Sequence, residues 1–381
     1  MRRLALATPA AGGLWAPLLA ACLALGCGHT EPFSNPPYGS DSPFDPAPPQ
    51  RLTYNTGADR GAAWLADGSA LVYSAQQVAR PDADVCLAVI PATGGSQREL
   101  WCDVPEGETQ TDAIESPAPG PDGRLAFVAA SGTIGGNNPV REAIVLASSL
   151  DPRAASNVRS FPYTPEGGTL ENTAAHLRWV DGTRLVYVGQ RFFVRSLCPL
   201  CVVDTFRIGQ AVTLLETGLP GSLPTALPGT ATATGVAAEP GTGLVYYTLG
   251  GDARVYRRTL SSGVVEVVHD FAAAGIARDI QVVGNRLTAV VGGRVSFGTD
   301  AQFGPTQWDS GGVVYLVDLD TGEQTALDPG ARLFRRPAIS PAGDAVVAEG
   351  YPLIITVLSN TPLVTDTVVG RSADLFLYRG Q

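Results

Sequence analysis

The 381-residue sequence contains no lysine; all 26 basic residues are arginine. That excludes a P-loop lysine, a Schiff-base lysine and a kinase-type lysine. Histidine occurs three times, as His29, His176 and His269, which argues against chemistry that needs convergent imidazoles. Beyond the N-terminal leader no apolar run approaches the ~18 residues that a membrane-spanning helix needs, so none is expected. No Gly-x-Ser-x-Gly elbow is present, so no attached hydrolase domain of that kind is expected. The acidic pairs Asp82-Ala83-Asp84 and Asp318-Leu319-Asp320 lack EF-hand spacing. Basic clusters are short (Arg257-Arg258, Arg335-Arg336), and the formal net charge is −10. An acidic chain of this kind does not favour nucleic acid or anionic lipid surfaces. What the chain does have is 44 glycines and 30 prolines, a composition of short strands and many turns.

Arg2 and Arg3 precede an apolar stretch from Leu14 to Gly26 that ends in small residues. A basic start, a short apolar centre and small residues at the end predict a secretory signal. A short membrane anchor is the other reading, weakened by Pro17 and by the length of the stretch. The end of the leader resembles a bacterial lipobox twice, at Leu19-Ala20-Ala21-Cys22 and at Ala24-Leu25-Gly26-Cys27. Cleavage before Cys22 would leave an apolar mature terminus, whereas cleavage before Cys27 releases the polar Gly28-His29-Thr30-Glu31. Cys27 is therefore the favoured lipidation site, with Cys22 the alternative. The resemblance implies anchoring by several acyl chains, which is stable where one chain is marginal. By the sorting habit of the lipoproteins it resembles, Gly28 in place of Asp after Cys27 implies the outer membrane. Residues 28–50 hold seven prolines in 23 positions and are expected to form a solvated tether.

From residue 51 onward one phrase recurs: an apolar stretch, a tight turn, then a β-branched and aromatic strand. It begins as Ala63-Trp64-Leu65-Ala66-Asp67-Gly68-Ser69-Ala70-Leu71-Val72-Tyr73. Pro121-Asp122-Gly123 with Leu125-Ala126-Phe127 repeats it, as do Asp181-Gly182 with Leu185-Val186-Tyr187 and Gly241-Thr242-Gly243 with Leu244-Val245-Tyr246. Weaker copies centre on Asn285 and Gly343. Counted at Gly68, Gly123, Gly182, Gly243, Asn285 and Gly343, the intervals are 55, 59, 61, 42 and 58. Asp-Gly and Gly-Asn supply the positive φ of tight hairpins. A second hairpin follows in three units, at Thr93-Gly94-Gly95, Ser261-Ser262-Gly263 and Thr321-Gly322. Four strands per unit predict an all-β, six-bladed β-propeller of four-stranded antiparallel blades over residues 51–381. A two-sheet sandwich is the structural runner-up.

Trp64-Leu65-Ala66-Asp67-Gly68, Pro121-Asp122-Gly123 and Asp318-Leu319-Asp320-Thr321-Gly322 resemble the TolB-type, WD-like propeller repeat. The resemblance implies fold more than function. It also implies that Arg51-Leu52-Thr53-Tyr54, standing before the first unit, is the strand that ends a blade. The last unit lacks a fourth strand, so 51–54 is expected to complete it beside Asp374–Tyr378 and close the ring.

Loops entering the innermost strands surround a propeller's channel mouth. The residues so placed are Asp59, Arg60, Glu115, His176, Arg278, Asp279, Arg335 and Arg336. They suit a polar ligand or a peptide end, or they pair with one another in a solvated channel. Thr173-Ala174-Ala175-His176, Asp279-Ile280 and Asp309-Ser310-Gly311-Gly312 resemble the motifs of chymotrypsin-like proteases. The reading is set aside because Trp308 replaces the leading Gly of the serine motif and the intervals differ. His176 and Asp279 are also expected at different strand positions. Cys86 and Cys102 flank a hairpin and are expected to face each other, as a disulfide or as two buried thiols. Cys198-Pro199-Leu200-Cys201 lies between two β segments, where a small structural disulfide is expected rather than redox work. No metal or cofactor is expected. The segments 131–142, 297–312 and 351–371 are expected as inserted loops and partner surfaces. These readings describe an outer-membrane-anchored, monomeric binding or scaffold module for an envelope protein or small polar ligand. The alternative is a lyase- or lactonase-type propeller enzyme working in the funnel.

Overall fold

Alternation and turn chemistry decide the fold strand by strand. In Leu71-Val72-Tyr73, Leu71 and Tyr73 pack toward one side of their sheet and Val72 toward the other. Both faces are buried, so each sheet is sandwiched between two others, as the blades of a ring must be. The computed structural model describes residues 49–54, 57–76, 85–101, 113–131, 141–150, 155–160, 169–196, 203–219, 221–293, 295–300, 304–309, 311–327, 332–360, 363–369 and 373–379. Cys22, Cys27, Cys102, Cys198, Cys201 and Ser310 lie outside them.

The described strands build six antiparallel blades. Blade one is β2 (Asp59–Trp64), β3 (Ala70–Gln76), β4 (Val85–Pro91) and β5 (Arg98–Trp101). Blade two is β6 (Ala113–Pro119), β7 (Leu125–Ser131), β8 (Arg141–Ala147) and β9 (Ala155–Ser160). Blade three is β10 (Thr169–Trp179), β11 (Arg184–Ser196), β12 (Val203–Glu216) and β13 (Thr225–Ala226). Blade four is β14 (Ala233–Glu239), β15 (Leu244–Leu249), β16 (Arg254–Thr259) and β17 (Val265–Asp270). Blade five is β18 (Ala277–Val283), β19 (Arg286–Val291), β22 (Val313–Asp318) and β23 (Gln324–Leu327), interrupted by the hairpin β20 (Val295–Asp300) and β21 (Gly304–Asp309). Blade six is β24 (Arg332–Ile339), β25 (Ala345–Asn360), β27 (Asp374–Arg379) and β1 (Gln50–Arg51). The far end of β25 also forms a hairpin with β26 (Leu363–Val369).

β1 pairs antiparallel with β27, Gln50 opposite Leu377 and Arg51 opposite Phe376. The strand is one residue earlier and shorter than the expected 51–54. Beyond Arg51 the chain still bonds, Leu52 N–H donating to Leu375 O at 2.7 Å and Leu375 N–H donating to Thr53 Oγ1 at 2.9 Å.

Six apolar clusters occupy the six blade interfaces. Leu71, Tyr73, Val347 and Leu377 join blades six and one, and Val72, Phe127 and Val145 join one and two. Val128, Trp179 and Tyr187 join two and three; Val186, Val188, Val236 and Tyr247 join three and four. Tyr246, Ile280 and Leu287 join four and five; Val290, Phe334, Val346 and Tyr378 join five and six. Polar staples recur beside these clusters. Trp64 Nε1–H donates to Ala338 O at 3.0 Å, Trp179 Nε1–H to Ala118 O at 2.8 Å, and Ile339 N–H to Gln281 Oε1 at 2.8 Å. Each ties an innermost strand to its neighbour.

The repeated turns follow the expected chemistry at Gly68, Gly123, Gly243 and Gly343, all at positive φ. Two copies depart from it. At the fifth copy Gly284, not Asn285, takes the positive φ. At the third, Gly182 does not adopt it. There Asp181 Oδ1 closes the turn instead, accepting from Thr183 N–H and Arg184 N–H at 2.8 and 2.9 Å. Such side-chain acceptance substitutes for a glycine conformation. The segments expected as loops at 297–312 and 351–371 are largely β-hairpins, β20–β21 and β25–β26. In the first expected insert, β7 and β8 continue through Ser131 and from Arg141.

Candidate functional site

Every innermost strand slips register against its neighbour, at the same height in five blades and further from the repeated turn in blade four. The shifts fall at Arg60/Ala63, Glu115/Ala118, Ala175/Arg178, Ala233/Gly235, Arg278/Gln281 and Arg335/Ala338. In five blades the slip contains a positive-φ residue: Gly61, Ser116, His176, Asp279 and Arg336. Four of these are not glycine, and each left-handed L-residue costs about 1–2 kcal/mol. A bulge re-aims the side chains beside it. Backbone strain of this kind clusters at functional sites.

The converging groups form one network across the channel. Asp279 of blade five is only 4% exposed. Its Oδ1 lies 3.5 Å from His176 Nε2 of blade three, and its Oδ2 accepts from Arg336 N–H of blade six at 3.3 Å. Arg335 Nε stands 3.9 Å from the same oxygen, beyond hydrogen-bond reach. Glu349 of β25 is fully buried. It accepts from Arg336 Nη1 at 3.2 Å, from Gly61 N–H of blade one at 2.5 Å and from the Tyr351 hydroxyl at 2.9 Å. Arg278 Nη2 donates to Gly311 O at 2.7 Å. Glu115 adds its charge to Arg336 from blade two, and Arg60 acts on Tyr351 from blade one. Asp59 is fully buried at the start of β2, its N–H bonded to Ala373 O.

Burial, with Arg336, Arg178 and Arg335 nearby, brings the His176 pKa down to about 4 against the pull of Asp279. His176 is therefore an uncharged imidazole at neutral pH. Burial raises the Asp279 carboxyl, but His176, Arg335, Arg336 and Arg278 together hold it below its ordinary range. Burial and the Glu349 charge push Tyr351 up to about 12. Five guanidiniums (Arg60, Arg178, Arg278, Arg335, Arg336) thus face three carboxylates (Glu115, Asp279, Glu349) on a chain whose formal net charge is −10.

The His176 environment sets a pH dependence. The unfolded chain takes up the proton near the ordinary imidazole value of ~6.5, and the folded chain near 4. Between these values the unfolded state binds more protons, so stability falls as pH drops through that window and levels off below it. His176→Asn keeps a residue that tolerates positive φ. Thermal melts from pH 7 to pH 4 are expected to lose less stability in this variant than in the wild type, by an amount on the order of 2–3 kcal/mol. Parallel curves would contradict the assignment.

Of the residues expected at the mouth, Arg60, Glu115, His176, Arg278, Asp279, Arg335 and Arg336 join the network through contacts or mutual charge. His176 and Asp279, expected at different strand positions, occupy the same bulge position and touch across the channel. Three participants were not anticipated: Arg178, Glu349 and Tyr351. Arg178 lies two residues beyond His176 on one strand, and Glu349 interrupts the apolar run Ala345-Val346-Val347-Ala348; both are signals readable in sequence. Cys86 is fully buried and disulfide-bonded. Among the described residues, no three His, Cys, Asp or Glu side chains gather as a metal-holding group.

The fold and this mouth define a six-bladed β-propeller with a charged channel end. No family model matches the chain, and no curated protein does. Among solved structures, a gluconolactonase from Xanthomonas campestris superposes with a TM-score of 0.51 at 14% identity, over 87% of this chain and 89% of that one. TolB from Acinetobacter baumannii is 16% identical with a TM-score of 0.46, over 82% of this chain. The match spans 65% of that TolB chain. These likenesses concern the fold alone.

Proposed function

We propose that the chain is an exported, lipid-anchored binding module of a bacterial envelope. Residues 1–27 are its leader, 28–49 its tether and 50–381 its propeller, with Cys27 (or Cys22) acylated and the outer membrane as its site. It works as a monomer, without a cofactor. Cys102 is the proposed partner of Cys86, since Leu87 stands opposite Trp101 in the hairpin, and Cys198 pairs with Cys201. The ligand is an envelope protein or a small polar molecule held at the channel mouth. One observation carries this reading: the strained ring of bulges that turns opposite charges from several blades into one opening. Charged groups preorganised in a buried setting give specificity and steering to association. In situ cross-linking of the full-length protein, followed by affinity recovery, is expected to yield a discrete envelope partner or ligand. Recovery of nothing beyond the protein itself would remove the reading.

A propeller enzyme of lyase or lactonase type is the second reading, favoured by the uncharged His176 beside the ionised Asp279. Lactone turnover by the wild type that disappears in His176→Asn would support it.

A further inference from the structure

Below the charged mouth the channel opens into a cavity of about 270 Å³. Its lining comes from all six innermost strands and is apolar around most of its circumference. Trp64, Pro119, Trp179, Val282 and Ile339 supply walls. Among the described lining residues Arg178 is the single charged one, and Gln281 is occupied by Ile339 N–H. The guanidinium of Arg178 reaches its own strand, Nη1 donating to Leu177 O at 2.8 Å. Its Nε–H is buried and has no hydrogen-bond partner.

Arg178 is half-buried, and a charge withdrawn from water is costly to the extent that it lacks a partner. The acid acting on Arg178 is Asp279, which also serves His176, Arg335, Arg336 and Arg278. Arg178 is therefore short of negative charge and of one acceptor. It sits at the border between a polar mouth and an apolar chamber walled by two indoles. An aromatic ring fits a dry cavity of roughly 150 Å³, so the chamber has room for a ring and a short acidic arm.

We propose that this chamber is a binding site for a small amphipathic carboxylate, its oxygens paired with Arg178 and its apolar body against Trp64 and Trp179. Guanidinium suits this role because its fork matches carboxylate geometry. The site shares Arg178 with the mouth but lies below it, and it does not require the envelope reading.

Phenylacetate is the probe, and phenylacetamide its uncharged counterpart of the same shape. Titration of the purified full-length protein, followed by indole fluorescence and by calorimetry, is expected to show saturable binding of phenylacetate, at least tenfold tighter than phenylacetamide. Arg178→Met keeps much of the side-chain bulk and removes the charge, and is expected to abolish that preference. Arg178→Lys is expected to retain part of it. Arg257→Gln, on the outer part of blade four, is expected to behave as the wild type. No saturable binding, equal affinity for acid and amide, or an unchanged preference in a folded Arg178→Met would each overturn the proposal. Should Arg178→Met not fold, the acid-to-amide ratio of the wild type decides by itself. Loss of preference in Arg257→Gln would mark the binding as unspecific attraction and overturn it equally.

Discussion

Removing residues 50–54 is expected to lower the melting temperature by 10 °C or more. These residues pair with a strand more than 300 positions away in sequence. Leu52 is 3% exposed and packs in the cluster between blades six and one. Truncating a buried leucine alone costs about 2–5 kcal/mol. The deletion also removes the ladder to β27, the bond from Leu375 N–H to Thr53 and the ion pair of Arg51 with Asp374 at 2.7 Å. It leaves β27 as an open edge, which invites pairing with other chains. A total near 5 kcal/mol or above follows, and each kcal/mol shifts the melting temperature of a large domain by about 2–4 °C. Differential scanning calorimetry of the truncated and intact proteins is the check. Equal melting temperatures would mean that the ring does not depend on its N-terminal strand.

Glu349→Leu is expected to destabilise the protein by about 3–5 kcal/mol, the range for breaking a buried ion pair from one side. The replacement fills the space with apolar atoms, so cavity formation is not the main cost. What remains is Arg336 without its acceptor, Gly61 N–H without its partner and a buried Tyr351 hydroxyl without one. Glu349→Gln still offers an acceptor oxygen and is expected to lose less than half as much. Urea unfolding of the two variants separates them. If Gln and Leu cost the same, hydrogen-bond acceptance by residue 349 is not what holds the mouth together, and its charge is.

The blades were legible in the sequence because their determinants are local. Asp67-Gly68 and Pro121-Asp122-Gly123 declare hairpins, and Leu71-Val72-Tyr73 declares a strand buried on both faces. The orphan strand was legible for a different reason: the last unit was one strand short. The mouth was legible only as a set of positions. Placing Arg60, Glu115, His176, Arg278, Asp279, Arg335 and Arg336 at the channel needs the repeat alone. Pairing His176 with Asp279 needs the ring closed, because blades three and five meet only across the channel. Glu349 escaped because it comes from a second strand, and it reaches the mouth through the register that sets it opposite Arg335. The hairpins at 297–312 and 351–371 escaped because side chains outside the repeat carry no repeated phrase to compare.

The central claim is that the charged mouth binds something, rather than merely neutralising itself. Arg335 separates these possibilities. It borders Asp279, but its Nε has no hydrogen-bond partner and its side chain is 21% exposed. Cross-linking and recovery from the envelope, run side by side on the wild type and Arg335→Gln, is the most direct measurement. The account predicts that the partner or ligand recovered with the wild type is lost with Arg335→Gln, while the melting temperature stays within a few degrees. Undiminished recovery with Arg335→Gln would contradict it.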